Sequence, residues 1–410
     1  MNVYDGQRID GMLRTLGLDR TDSVNDADVI ILNTCSVREK ATEKVFSALG
    51  RIRKKKKEGA LFGIVGCVAR ESGADAFRRI PELNFVLGPQ SYHKLPDVLE
   101  NPDARYIHVD LTGLEKFDAL PKTGRSDAVA YIPIQEGCDR GCAYCIIPFA
   151  RGTELSRPFD DALLDVKAAA EQGAVEICFL GQNVNGYEYN LTALIKEAAK
   201  LPNIKRIRYT SPYPTDMTDE LLELHSAEPK LLPFLNLPLQ SGSDKVLLRM
   251  NRRYDMDGYL KIVERLRRAR GDIQIGSDFI VGFPGETDED FEMTCDAAKK
   301  IGFINSYSFK YSKRPHTAAA SMPGQVQEDV KKERLKILDN ILGENTRRFN
   351  ESCVGKTFEC LLESTDKSGN LVYRTPFMQQ VVVINGTPSA VSRIKITAGN
   401  KCSLRGEICQ

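Results

Sequence analysis

Gln135-Glu136-Gly137-Cys138-Asp139-Arg140-Gly141-Cys142-Ala143-Tyr144-Cys145 carries three cysteines in eight residues, spaced C-x3-C-x2-C. It follows directly on an apolar strand-like run, Tyr131–Ile134. Three thiolates in one tight loop can hold three corners of a [4Fe–4S] cube, because cysteine thiolate is the usual ligand of such clusters. No fourth cysteine lies nearby, so one iron stays open to chelate a substrate. An open position separates catalytic from structural zinc in the same way. The competing reading is structural zinc, but that ion wants four closed ligands, and this loop offers three with no adjacent histidine. Inert buried thiols fit worse, since Gly, Asp and Arg around the cysteines do not read as core.

Outward from the loop, strand-like runs recur at 131–134, 176–180, 204–209, 234–239, 274–281 and 305–311. Helical patterns separate them. Residues 160–172 stop at Gly173, 191–200 precede Pro202, 218–226 follow Thr215-Asp216, and Thr287-Asp288-Glu289-Asp290 opens the next with an acidic first turn. Six βα units predict a partial TIM-type barrel, with chemistry at the C-terminal strand ends.

Ahead of the loop, Val29–Leu32 ends in Asn33-Thr34-Cys35 and Leu61–Val65 ends in Gly66-Cys67, with a helical pattern over about 38–57 between them. This βαβ order predicts a parallel α/β sheet buried on both faces. Ligands bind at the C-terminal edge of such sheets, so Cys35 and Cys67 can meet there. The run Arg51-Ile52-Arg53-Lys54-Lys55-Lys56-Lys57 reads either as a solvated helix end or as a phosphate-contact patch.

Residues 325–350 predict one long helix with Val330, Ile337, Leu338, Ile341 and Leu342 as its apolar stripe. From Val354 the pattern changes to period two. Five short strands (357–362, 372–375, 380–384, 393–397, 403–408) predict a small β-barrel of oligonucleotide-binding type, with seven Lys/Arg against four Asp/Glu.

The 410 residues carry 57 Lys+Arg against 56 Asp+Glu, which excludes a globally basic nucleic-acid coat. Mean hydropathy is −0.31 and no apolar run approaches a membrane span. Met1-Asn2-Val3-Tyr4-Asp5 has no signal-peptide character, so the expected location is cytoplasmic and reducing. Of the eleven cysteines, Cys178, Cys295, Cys353, Cys360, Cys402 and Cys409 read as inert thiols.

The loop with an aromatic before its last cysteine, opening a partial barrel, resembles the radical SAM enzymes. Gly137–Gly152 with Ser156-Arg157-Pro158, Leu180-Gly181-Gln182-Asn183-Val184-Asn185, Leu237–Ser243 and Asp278–Thr287 narrow the resemblance to their methylthiotransferase family, over essentially the whole chain. The resemblance implies three domains: a cluster domain at 1–110, a radical SAM domain at 124–353 and a TRAM domain at 354–410. It implies that Cys138, Cys142 and Cys145 hold a cluster that binds S-adenosylmethionine and cleaves it to a 5′-deoxyadenosyl radical. Tyr144 then packs near the adenine, Gln182 and Asn183 contact the methionine moiety, and Ser277 and Asp278 approach the nucleoside. A second, sulfur-carrying [4Fe–4S] cluster takes Cys35 and Cys67. Its third cysteine, in a Gly-Cys-Gln-Met-Asn segment on the first strand, is expected just before Met1, so the third ligand and that strand are missing from this sequence.

Tyr209–Pro214, Ser277–Val281 and Tyr307–Ser312 favour the branch that adds a methylthio group to C2 of isopentenylated adenosine beside the tRNA anticodon. Tyr373–Phe377 in the mildly basic barrel suits RNA. The alternatives are threonylcarbamoyl-adenosine tRNA, a ribosomal-protein aspartate, or a catalytically impaired RNA-binding chain. Expected partners are tRNA, a reductase or flavodoxin-type electron donor and a sulfur donor, with a monomer and no membrane.

Overall fold

The computed structural model describes residues 1–36, 39–111, 113, 117, 128–384 and 386–409, and the side chains of 39–41 are not described. The expected domain boundary at 124 lies outside these residues, as do Val37 and Arg38. The chain divides into two compact units. The first comprises Met1–Arg125, Pro133–Pro158 and Ser312–Ala320, and the second Ser126–Ile132, Phe159–Tyr311 and Ser321–Gln410.

The first unit is built on a parallel four-stranded sheet. Its strands are β1 (Val29–Thr34), β2 (Leu61–Gly66), β3 (Phe85–Leu87) and β4 (Tyr106–His108), hydrogen-bonded in that order. All six residues of β2 are buried, as a central parallel strand covered on both faces requires. Phe46, Leu49, Phe62, Ile64, Val68 and Val86 pack on one side. Ile9, Met12, Val65, Phe85, Tyr92 and Leu95 pack on the other. The covering helices include α1 (Asn2–Thr15), α2 (Glu39–Ile52) and α3 (Cys67–Ser72).

Helix α2 stops at Ile52, short of the expected 57. Consecutive like charges at 53–57 repel along a helix, and here they sit in turns. Lys57 pairs with Asp28 at 2.6 Å and Arg53 with Glu82 at 3.7 Å, while Lys54 and Lys55 are exposed.

In the second unit, Val129–Pro133, Glu176–Leu180 and Arg206–Tyr209 form one sheet in that order. Phe234–Asn236 pairs in parallel with Gln274–Gly276, and Asp278–Val281 in parallel with Tyr307–Lys310. Single parallel bridges join Ile207 to Leu231 and Gln240 to Phe279. Helices alternate with these strands, as the partial-barrel reading requires. Thr287 and Asp290 form a capping box on Asp288–Ile301, which ends at Gly302 with φ +70°.

Two details differ from expectation. The run 274–281 is two strands, because Ser277 leaves the ladder: its N–H donates to Ser306 Oγ and its hydroxyl accepts from Leu239 N–H. The run 234–239 ends at Asn236, near Pro238, which has no N–H to offer a ladder.

Helix Glu328–Ser352 is present, but its buried face is not the apolar stripe alone. Val330 and Ile337 are exposed, whereas Lys331 and Arg334 are buried beside Leu338 and Leu342. The two cations turn inward because acceptors wait there. Lys331 Nζ donates to Tyr311 O at 3.1 Å, and Arg334 pairs with Glu286 and Asp288 at 2.7 Å each.

The last strands close a barrel in the order Thr357–Thr365, Leu371–Arg374, Gln380–Val383, Leu404–Ile408, Val391–Gly399. Tyr373, Val381, Val383, Ile394, Ile396 and Leu404 fill it. Arg206 anchors it to the preceding sheet, donating to Arg374 O and Thr375 O at 3.0 Å each. Among the described residues no helix is long and apolar enough to cross a membrane.

Candidate iron–sulfur centre

The three-cysteine loop is closed at its base by Gln135–Glu136 pairing antiparallel with Leu155–Ser156. Cys138 N–H reaches Gly152 O at 3.3 Å, and Cys145 N–H reaches Cys142 O at 2.9 Å, curling the loop on itself. Gly137 has φ +79°, and a Cβ there would lie 1.9 Å from Thr153 O, so only glycine lets the two sides approach. Gly141 takes φ +66° between the first two cysteines. None of the three is in a disulfide, and all are half-buried. Burial pushes the Cys138 thiol above its ordinary range, opposed by a hydrogen bond from the Arg140 backbone and reinforced by Cys142. A ligand that displaces this proton has to be a strong thiolate acceptor.

Among the described residues, no three His, Cys, Asp or Glu side chains are grouped so as to hold a metal ion. The loop offers three half-buried sulfur donors and no imidazole in its cysteine spacing, and its one carboxylate, Asp139, is turned to the backbone N–H of Glu154 at 3.2 Å. That donor chemistry fits an iron–sulfur cube with one open iron.

Cys35 and Cys67 leave neighbouring strand ends. Thr34 and Gly66 are direct partners in the β1/β2 ladder, and each cysteine is the next residue. Thr34 Oγ1 donates to Val65 O at 2.6 Å and accepts from Val68 N–H at 3.2 Å. Gly66 has φ +94°, and a Cβ there would fall 2.4 Å from Thr34 O. Cys67 is buried and Cys35 half-buried. Burial raises the Cys67 thiol, Arg151 opposes that, and Cys35 and Asp5 add to it. The two thiols therefore lie within electrostatic reach of each other. The start of α1 is tied to the same edge, for Asn2 Nδ2 donates to Asn33 Oδ1 at 2.8 Å and Asn33 Nδ2 to Asn2 O at 2.8 Å. Both cysteine sets belong to the first compact unit. Two free thiols at a strand-end edge fit part of a second cluster's ligand set.

The remaining expected site residues divide between the units. Tyr144 is half-buried within the first unit's loop. Gln182 and Asn183 follow strand Glu176–Leu180 in the second unit, Gln182 half-buried and Asn183 buried. Ser277 is fully buried with its hydroxyl engaged by Leu239, and Asp278 Oδ2 accepts from Asn236 Nδ2 at 2.9 Å. Sequence reading missed Arg151, Asp5 and Glu136, which form a buried ionic cluster beside Cys67. Their spread from residue 5 to residue 151 leaves no local pattern to find.

Residues 132–298 match the Radical SAM superfamily, and residues 1–88 match a family described as Uncharacterized protein family UPF0004. Among solved structures, the radical S-adenosylmethionine methyltransferase TsrM from Kitasatospora setae, with cobalamin and a [4Fe-4S] cluster bound, is similar in fold. Its TM-score is 0.57 at 15% identity, covering 77% of this chain and 71% of that one. The cobalamin-dependent enzyme OxsB has a TM-score of 0.52 at 12% identity, covering 82% and 53%. A partial barrel, a three-thiol loop and the match to the Radical SAM superfamily thus define a radical SAM protein. Across 431 aligned residues the chain is 45% identical to the tRNA-2-methylthio-N(6)-dimethylallyladenosine synthase of Rickettsia canadensis (strain McKiel), covering 100% of this chain and 97% of the relative. The synthase of Rickettsia bellii (strain OSU 85-389) is 44% identical with the same coverage. The chain belongs to the family of tRNA-2-methylthio-N(6)-dimethylallyladenosine synthases.

Proposed function

We infer that the chain is a tRNA methylthiotransferase of the radical SAM class, which adds a methylthio group to C2 of isopentenylated adenosine next to the anticodon. The observation that carries this reading is full-length identity of 45% to a synthase so named, together with an intact C-x3-C-x2-C loop. The chemistry asks for such a centre, because an adenine C2–H is not acidic and no side-chain base removes it at neutral pH. A cube with one open iron, when bound, supplies reductive cleavage of the S-adenosylmethionine sulfonium. Cys138, Cys142 and Cys145 hold that cube in this reading, and the hairpin through Gly137 and Thr153 closes the base of their loop. Cys35 and Cys67 contribute two thiolates to a second cluster.

Tyr144 lies against the adenine of the cofactor in this reading, and Gln182 and Asn183 bind its methionine end. Ser277 and Asp278 line the approach of the nucleoside. Their ties to Leu239 and Asn236 support a rigid wall there. The division into 1–110, 124–353 and 354–410 assigns the clusters to the first two parts and RNA contact to the terminal barrel. A flavodoxin-type or reductase donor supplies electrons, a separate donor supplies sulfur, and the protein acts as a cytoplasmic monomer.

Mass spectrometry of tRNA nucleosides from a deletion strain tests the reading. The expected result is isopentenyl-adenosine without its methylthio mark, restored by the gene. Unchanged nucleosides would overturn it.

A further inference from the structure

His316 lies flat on Phe149, with ring centroids 3.9 Å apart and planes tilted by 10°. Phe149 is half-buried on the short helix Ile147–Arg151, which begins two residues after Cys145. Arg70 fixes that side of the stack: its guanidinium carbon lies 5.2 Å from the Phe149 ring centroid, and its Nε donates to Phe149 O at 3.4 Å. His316 itself is exposed, and its ring nitrogens make no hydrogen bond among the described residues. With Phe149 against one face of the imidazole, the other face is left to solvent.

The backbone is set to hold the ring there. His316 has φ +65°, a conformation that glycine takes without strain and a residue with a β-carbon does not. Burial does not explain the choice, because the ring is exposed. Its neighbours are anchored instead. Arg314, Thr317 and Ala319 are buried, Thr317 Oγ1 donates to Arg314 O at 2.8 Å, and Ala319 N–H donates to Ala143 O at 2.8 Å, inside the three-cysteine loop. All of these residues belong to the first compact unit. Strain held by a rigid surround points to a task for the side chain.

A flat aromatic face open to water suits a nucleobase, since unpaired RNA bases stack on Phe, Tyr, Trp and His rings. The same segment carries Lys313, exposed and without an ion pair among the described residues, a charge that suits phosphate better than an apolar peptide. We propose that His316, backed by Phe149, is a stacking platform for an unpaired base of the RNA loop that carries the reacting adenosine. This inference rests on the RNA substrate given under Proposed function.

The test uses the full chain, reconstituted anaerobically, and a synthetic anticodon stem-loop carrying isopentenyl-adenosine. One loop base at a time is replaced by 2-aminopurine, whose fluorescence falls when it stacks. Fluorescence anisotropy reads affinity on the same RNA. The parent binds and quenches one loop position. His316→Gly weakens binding about tenfold and relieves that quench, whereas His316→Phe keeps both. Glycine accepts the left-handed backbone, so His316→Gly keeps the parent's urea midpoint. A midpoint that falls while RNA affinity and quench stay at parent values makes the ring a structural cover and overturns the proposal. An affinity for S-adenosylmethionine that falls in His316→Gly while RNA binding holds assigns the face to the cofactor's adenine and also overturns it. In both cases the RNA-substrate reading stands. A parent that does not bind the stem-loop overturns the two together.

Discussion

Gly137 and the carbonyl of Thr153 approach so closely that a Cβ on Gly137 would fall 1.9 Å from the Thr153 oxygen. This contact brings the two ends of the cysteine loop together. Gly137→Ala meets both the clash and a left-handed φ, which alone costs about 1–2 kcal/mol. The variant is expected to lose the iron of this loop on reconstitution while far-UV circular dichroism stays unchanged. Full iron loading would show that the close approach does not shape the site.

Arg206 fastens the terminal barrel through Arg374 O and Thr375 O, and pairs with the buried Glu176 at 2.9 Å. Removing one partner of a buried pair strands the other charge. Arg208 still reaches Glu176 at 2.6 Å, so Arg206→Met is expected to cost roughly 3 kcal/mol, the low end of the usual range. Urea denaturation would read this as a lower midpoint, and an unchanged midpoint would contradict it.

His225 is buried, shares a 2.7 Å hydrogen bond with the Tyr209 hydroxyl, and is pushed down to about 3 by burial first and by Arg270 second. Its unfolded value is about 6.5. The folded protein therefore resists a proton that the unfolded chain accepts. This contribution to stability is whole above about 6.5 and is lost progressively as pH falls toward about 3. Urea midpoints measured across that window should fall more steeply for the parent than for His225→Gln. Parallel profiles would exclude His225 as the source.

The parallel sheet and the partial barrel were readable in the sequence because their strands are short apolar runs cut by turn residues, as at Leu61–Gly66 and Glu176–Leu180. Cys35 and Cys67 were readable as neighbours because each directly follows such a run. The change of partner at Ser277 was not, since the apolar pattern runs on across it and only Leu239 and Ser306 reveal the break. Nor was the inward turn of Lys331 and Arg334, which depends on acceptors at Tyr311 and Glu286, residues on other elements. Arg151 follows the same logic. Its carboxylate partners at 5 and 136 meet it only after folding.

The central claim is that Cys138, Cys142 and Cys145 grip an iron cube with one corner left for a sulfonium compound. The most direct measurement is formation of 5′-deoxyadenosine from S-adenosylmethionine by anaerobically reconstituted, dithionite-reduced protein. The account predicts turnover by the parent and none after Cys138→Ala, Cys142→Ala or Cys145→Ala. A colourless, iron-free parent that leaves S-adenosylmethionine intact would contradict it.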